Sequence, residues 1–449
     1  MTAAATGPRR RGPPVTRKEI FGWAMFDFAN SSYTTVVITV LYSKFFVGYI
    51  VPAGSAVRTS YWSLAIILST LIALVLSPLV GAICDYSGRK KRYLFGTALT
   101  CSLATAALAL VQPGAIWSAI ALIAVSNAAF MLSETFCGSF LPDISTPESM
   151  GKISGLGWGI GYFGGLASIL VALTFVVTAN PASEPARYVH QNQLAMVAIG
   201  VFFLVTAMPT FLLVHNRTPP APGYERAGVV QLFRAGLHEF RQTLQTARQN
   251  RVLFQFLAAF MVYMAGIDAI VKFVSIYASD EVHYSDAELR MLFLGLQLSA
   301  AAGAFLFGWL ESKIGPKKTV LATLVWWIVG VLGIYFLAQL SRLSGTDPKR
   351  VFQVLGLVAG AAIGATQASS RTVVGLLSPP DKVTQMFGFW GTFARLGTIL
   401  GMSFGFVADG FHSPRMAVLL VLVFFVVGLL LLARVDLDRG MREVRAAAR

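Results

Sequence analysis

The chain has 449 residues, 55% hydrophobic and only 13% charged, with a mean hydropathy of +0.66 and a net charge of +15. A soluble domain carries about 25% charged residues, so a water-soluble globular fold is excluded. The basic excess raises nucleic acid as a partner, but its placement along the chain assigns it elsewhere.

Arg9, Arg10, Arg11, Arg17 and Lys18 precede an apolar run that continues almost to Val51. A cleavable leader has an apolar core of about 7–15 residues and then a small-residue cleavage site. This run is much longer and no such site follows, so the first helix is expected to stay in the membrane. Within it, WAMFDFANSSY (23–33) carries Asp27 and Asn30. A carboxylate at the bilayer centre costs about 2.5–3.5 kcal/mol on insertion scales. Asp27, Asn30, Ser31 and Thr34 recur at helical spacing, which predicts a polar stripe facing a hydrated path. Trp23 and Phe26 then face neighbours or lipid.

Twelve membrane spans are predicted, near 21–50, 60–84, 93–111, 115–141, 153–178 and 192–214, then 252–278, 291–310, 319–340, 351–377, 384–408 and 416–433. The organisation is an N-terminal six-helix bundle (1–214), a linker (215–250) and a C-terminal six-helix bundle (251–449). With the N-terminus inside, 25 Lys and Arg fall in inner segments and 7 in outer ones. That asymmetry puts both termini in the cytoplasm. The basic excess thus reports orientation, and no nucleic-acid role is expected. The bacterial inner membrane is the expected location.

After span 2 the chain reads GAICDYSGRKKR (81–92). Gly81 marks a place where a neighbouring helix approaches, and Asp85 is positioned to pair with an Arg or to cap a helix across the junction. Gly81, Asp85, Gly88 and Arg89 are therefore read as a conformational lock. Span 4 carries Asn127 and Glu134, and span 5 reads SGLGWGIGYFGG (154–165), a glycine density that lets helices cross closely. Tyr162 in it, Asn127, and Gln367 in span 10 are candidate hydrogen-bonding groups of a cavity. Cys84, Cys101 and Cys137 sit in apolar runs at no metal spacing and are expected to pack as small residues. No metal and no cofactor is expected.

The linker opens with TPPAPG (218–223) and continues as GVVQLFRAGLHEFRQTLQTARQN (228–250). Val229, Phe233, Leu237, Phe240 and Leu244 share a helical face, which predicts an amphipathic helix at the inner membrane surface, touching lipid and tethering the halves. In span 7, Asp268 and Lys272 are four residues apart and read first as a self-neutralising pair. Lys44 near the outer end of span 1 is expected to snorkel. After span 8, GWLESKIGPKK (308–318) repeats the first motif, with Gly308 on Gly81 and Gly315 on Gly88. Ser312 falls where Asp85 stood, so this half is expected to lack the charge lock. SETFCG (133–138) and SRTVVG (370–375) form a second match, which sets Glu134 opposite Arg371 across a pseudo-two-fold axis.

The Gly-x-x-x-Asp-x-x-Gly-Arg-Lys motif, the twelve spans and the six-plus-six repeat together resemble the major facilitator superfamily. WAMFDFANSSY, SGLGWGIGYFGG and ATQASSR (365–371) resemble its vacuole-effluxer-like branch, the unknown major facilitator family, whose fungal members export amino acids from the vacuole during autophagy. Where that family has a polar Asn-Asp-Gly step in span 7, this chain reads MAG at 264–266. The resemblance implies an all-α membrane fold of two six-helix bundles, with spans 1, 4, 7 and 10 lining a central cavity. The intramembrane charges fit it. Asp27, Lys44, Glu134, Asp268, Lys272, Arg371 and Arg395 fall in spans 1, 4, 7, 10 and 11, and none falls in spans 3, 6, 9 or 12.

Asp27, Glu134, Arg371 and Arg395 form a layer with acids in the first half and bases in the second. Four readings of it stand: a gate that parts on opening, a proton-coupling site, a substrate site in which Arg holds a carboxylate, or a fixed structural bridge. No phosphate-binding loop and no nucleophile–base set is present, so no enzyme is expected. The expected function is a secondary transporter of a small organic solute, an amino acid or related metabolite favoured, working as a monomer by alternating access with protons as a possible coupling ion. The alternatives are a non-transporting sensor or scaffold of the same fold, and a lipid or lysophospholipid flippase.

Overall fold

The computed structural model describes residues 13–52, 58–179, 183–224, 227–245, 251–284, 286–404 and 414–447, and every regular element among them is helical. Helix 1 starts at Arg17, where Thr16 Oγ1 accepts the Glu19 amide at 3.2 Å, a side-chain cap on an otherwise orphan donor. Its α-helical part ends at Ser32. Wider π-type turns follow over Tyr33–Val40 and Phe46–Ile50, around a short α-turn, Tyr42–Phe45. The β-branched stretch 34–40 crowds the helix surface there, and π-turns often mark functional segments.

The remaining long helices run in the predicted order. Helices 2 to 6 are Arg58–Ser87, Lys90–Ala107, Ile116–Ser139, Met150–Leu170 and Pro185–Leu213. Helices 7 to 12 are Arg251–Asp280, Asp286–Ile314, Pro316–Tyr335, Pro348–Leu377, Val383–Gly401 and Pro414–Ala433. A linker helix, Val229–Gln245, and a C-terminal helix, Leu437–Ala447, complete the chain. Ten spans have the length and apolarity to cross a bilayer, and helix 12 with the C-terminal helix, bent by 51°, makes eleven. Helix 11 falls short of that test because Gln385, Arg395 and its glycines dilute its apolar residues.

One apolar core runs from Trp23 to Val214 and a second from Val252 to Leu437. The pairings inside the two bundles match. Helix 1 packs on 5 and 6, as 7 packs on 11 and 12; helix 4 packs on 2 and 3, as 10 packs on 8 and 9; helix 3 packs on 6, as 9 packs on 12. The bundles meet through helices 5 and 8 and, symmetrically, helices 2 and 11. Both seams close at glycine. A Cβ on Gly81 would lie 2.7 Å from the Thr384 carbonyl, and one on Gly155 would lie 2.9 Å from Gly308 Cα.

The turns after helices 2 and 8 also repeat. Gly88 (φ 61°) and Gly315 (φ 84°) occupy the left-handed region that disfavours any Cβ. These turns, the linker and the C-terminal helix lie on one side of the molecule, the terminus side. The linker helix rests on helix 2, with Gly236 against Ile83 and Leu232 buried, while Val230 and Phe233 stay exposed. Its packed face therefore differs from the predicted apolar stripe. Phe233 of that stripe points outward, and the side chains of Val229, Phe240 and Leu244 lie outside the described residues.

Candidate functional site

A buried charge layer crosses the boundary between the bundles. Arg371 of helix 10 is 4% exposed, and its Nη1 and Nη2 each lie 2.9 Å from Asp27 Oδ2 of helix 1. Its Nε donates to Ser154 Oγ at 3.1 Å and its Nη2 to the Ser154 carbonyl at 3.0 Å. The guanidinium also lies 4.8 Å from the Trp23 ring centroid and 5.6 Å from that of Trp158. Trp23 is fixed in turn by its indole N–H, which donates to the Cys137 carbonyl at 2.9 Å. Gly157 leaves room for the pair, since a Cβ there would sit 2.4 Å from Asp27 Oδ2 and 2.9 Å from Arg371 Nη2. One arginine of the second bundle is thus held by helices 1 and 5 of the first. A planar fork that stacks on aromatic faces suits this cradle better than an ammonium does.

Arg395 of helix 11 is the second base. Its Nη1 donates to Ser77 Oγ at 3.2 Å, and its Nε lies 3.2 Å from Met131 Sδ. Glu134 of helix 4 lies within the charged surroundings of Arg395, Asp27 and Arg371. It closes no ion pair among the described residues. The repeat set Glu134 opposite Arg371; Ser154 and Trp23 instead draw that guanidinium toward helices 1 and 5.

Nearer the terminus side, Asp85 accepts the Thr384 N–H at 3.0 Å and the Gln385 N–H at 2.8 Å. It therefore caps the N-terminus of helix 11, where the helix dipole favours an anion. Lys90, fully buried, donates to the Ser139 carbonyl at 3.1 Å and to Asp143 at 3.0 Å. In the second copy Ser312 bonds back to the Trp309 carbonyl of its own helix at 2.6 Å. This half is expected to lack a charge lock, and Ser312 forms none; Glu311, one residue earlier, sets an acid against Gly151 at the start of helix 5, with no cation and no backbone N–H bonded to it among the described residues.

The match to known proteins spans this whole arrangement. Residues 46–445 fit the family model described as vacuole effluxer Atg22 like. The chain belongs to the Atg22-like vacuole effluxer family. An uncharacterized MFS-type transporter, YxiO of Bacillus subtilis, is 26% identical over 93% of this chain and 94% of its own length. Autophagy-related protein 22 of Saccharomyces cerevisiae is 24% identical over 85% of this chain and 78% of its own. Among solved structures, the proton:xylose symporter XylE covers 96% of this chain and 98% of its own, with a TM-score of 0.76 at 11% identity. FucP in its outward conformation covers 93% of this chain and 99% of its own, with a TM-score of 0.67 at 16% identity. At those identities the likeness shows the major facilitator fold. This Atg22-like protein is accordingly an integral membrane transporter and not an enzyme.

The other predicted site residues of this family member divide. Asn127 donates to Ser69 Oγ at 2.7 Å, buried between helices 4 and 2, and Asn30 accepts from Ser133 at 3.3 Å. Ser31 bonds the Asp27 carbonyl and Thr34 the Ser31 carbonyl, at 2.9 and 3.2 Å. The helix 1 stripe thus serves packing and its own backbone, and Asp27 alone of its members reaches the charge layer. Tyr162 lies against helix 10 at Gly364, where a Cβ would sit 2.9 Å from its ring, and Gln367 is one turn further along that helix. The indole N–H of Trp158, whose ring lies 6.2 Å from that of Tyr162, is buried without a partner. Asp268 accepts from Thr398 of helix 11. The side chain of Lys272 lies outside the described residues. Arg89 contributes its backbone N–H to Ser87 Oγ at 3.3 Å, and the buried cation of the lock is Lys90 instead.

Sequence reasoning missed Trp23 and Trp158 as walls of the Arg371 cradle, and it missed the buried Glu19–Arg217 pair that ties the linker to helix 1. The periodicity of helix 5, which puts Trp158 one turn from Tyr162 and Ser154, could have found the first. Nothing in the sequence joins residues 19 and 217.

Proposed function

We propose that this protein moves a small organic solute, an amino acid or related metabolite, by alternating access driven by a proton gradient. The observation that carries the reading is the pair between buried Arg371 and half-buried Asp27, shared between the two bundles. The two bundles cannot part on the terminus side unless it breaks. The terminus side is closed here by that pair and by the Asp85 cap, so opening costs both, and a solute shifts the balance through its differential affinity for the two states. Glu134 and Arg395 supply the solute chemistry. Each lacks an ion-pair partner among the described residues, and together they offer a carboxylate to an ammonium and a guanidinium fork to a carboxylate. A zwitterion carries both complementary charges. The positive-inside distribution assigns the terminus side to the cytoplasm, with the bacterial inner membrane as the host bilayer.

Counterflow in proteoliposomes tests the reading, using a panel of amino acids, peptides and sugars with and without a pH gradient. Exchange of at least one amino acid, faster with the gradient imposed, is expected. Silence across the panel from correctly inserted protein would overturn the amino-acid reading.

A further inference from the structure

Glu311 stands apart from every other buried acid described. It is 3% exposed, in the last turn of helix 8. Its Oε2 accepts from Ser369 of helix 10, Thr372 approaches it, and its Oε1 is buried without a partner. Across the seam it faces the first turn of helix 5, where a Cβ on Gly151 would lie 2.2 Å from Oε1. Glu311 therefore touches both bundles at once, as Asp85 does in the symmetric seam. The two acids differ in what surrounds them. Asp85 receives two backbone N–H groups and has Lys90 beside it; Glu311 has no such cation among the described residues.

The charged groups on the elements packed around Glu311 are otherwise engaged. Lys152 of helix 5 is exposed. Arg371 of helix 10 is held by Asp27 and Ser154. Lys313 of its own helix lies 3.8 Å over the Trp309 ring, and Lys317 at the start of helix 9 donates to the Ala433 and Val435 carbonyls at 2.9 and 2.6 Å. Lys318, the next residue, is exposed. A carboxylate buried without a cation, with one oxygen unbonded, is far costlier than the neutral acid in the same place.

We propose that Glu311 is a proton-binding latch: it holds a proton while helices 5, 8 and 10 are closed together on the terminus side, and releases it when they separate and water reaches it. The proton goes to that water and is taken back from the same side on closure. The latch rests on the alternating-access reading and not on the identity of the solute. Since the closed state binds the proton and the open state does not, falling pH favours closure and rising pH favours opening.

The test is the distance between spin labels at Arg92→Cys and Lys318→Cys, exposed positions at the starts of helices 3 and 9, in nanodiscs from acid to alkaline pH. The native cysteines are all buried and stay unlabelled. Two populations are expected, with the longer distance growing as pH rises. Glu311→Gln, which mimics the protonated acid, should stay short throughout, whereas Asp85→Asn should lengthen the distance and still respond to pH. Should Glu311→Gln fail to fold, Ser369→Ala removes the hydroxyl that donates to the carboxylate and should raise the midpoint by about half a pH unit or more. A wild-type pH response surviving in Glu311→Gln, or an unmoved midpoint in Ser369→Ala, overturns the latch. Two populations indifferent to pH overturn it too while sparing alternating access. A single distance under every condition removes both.

Discussion

Asp27 and Arg371 are 344 residues apart in the chain and 2.9 Å apart in the fold. Each was legible as a functional candidate, because an ionisable group inside an apolar run must face something polar. An acid–base gate in this layer was legible too, but not which acid meets which base. The repeat pointed to Glu134, and the choice falls to Asp27 through Ser154 and Trp23, whose approach is a property of packing rather than of residue order. Removing one partner of a buried pair costs about 3–5 kcal/mol, because the other is left charged and unpaired. Arg371→Ala should therefore lower the thermal midpoint in detergent sharply. Adding Asp27→Asn should recover part of the loss, and strict additivity in that double-mutant cycle would deny the coupling. Arg371→Lys keeps the charge but loses the fork and the stacking on Trp23 and Trp158, so it should remain well below wild type in both stability and flux.

At the scale of elements, the seams are helix ends and glycines. Asp85→Ala leaves the first amides of helix 11 uncapped, a loss of about 1 kcal/mol and roughly fivefold in the open fraction. A cysteine placed at Thr384, buried here, should accordingly react faster with an impermeant maleimide in the Asp85→Ala background. Unchanged reactivity would mean that the cap does not hold the terminus side. Helix 5 gives a contrast within one residue type. A Cβ on Gly164 would lie 2.0 Å from the Phe28 carbonyl, whereas Gly96 in helix 3 has nothing within 4 Å. Gly164→Ala should cost about 1–3 kcal/mol by overpacking, and Gly96→Ala should be neutral or stabilising, as thermal melts of the two variants would reveal. The motif positions Gly81, Asp85 and Gly88 were readable because their spacing is itself a physical signal. Glu311 was not, because the aligned position is Ser312, and only a longer side chain one residue earlier, 100° round the helix, fills the gap.

For the whole molecule, hydropathy runs located the long helices of the described residues in chain order, ten or eleven of them apolar enough to span, since length and apolarity are what a bilayer demands. The matched pairings within the two bundles then follow from duplication. The loops could not be read so well. The linker's attachment by Glu19 and Arg217 depends on a contact between segments 198 residues apart, and the linker helix turns Gly236, not Phe233, toward helix 2. The central claim is that the layer between the bundles must open and close for solute to cross. Counterflow by wild type, Arg371→Ala and Glu134→Gln in the same lipid tests it most directly. Exchange of an amino acid by wild type, lost in both variants while each remains folded and inserted, is the predicted result; full exchange in both variants would contradict it.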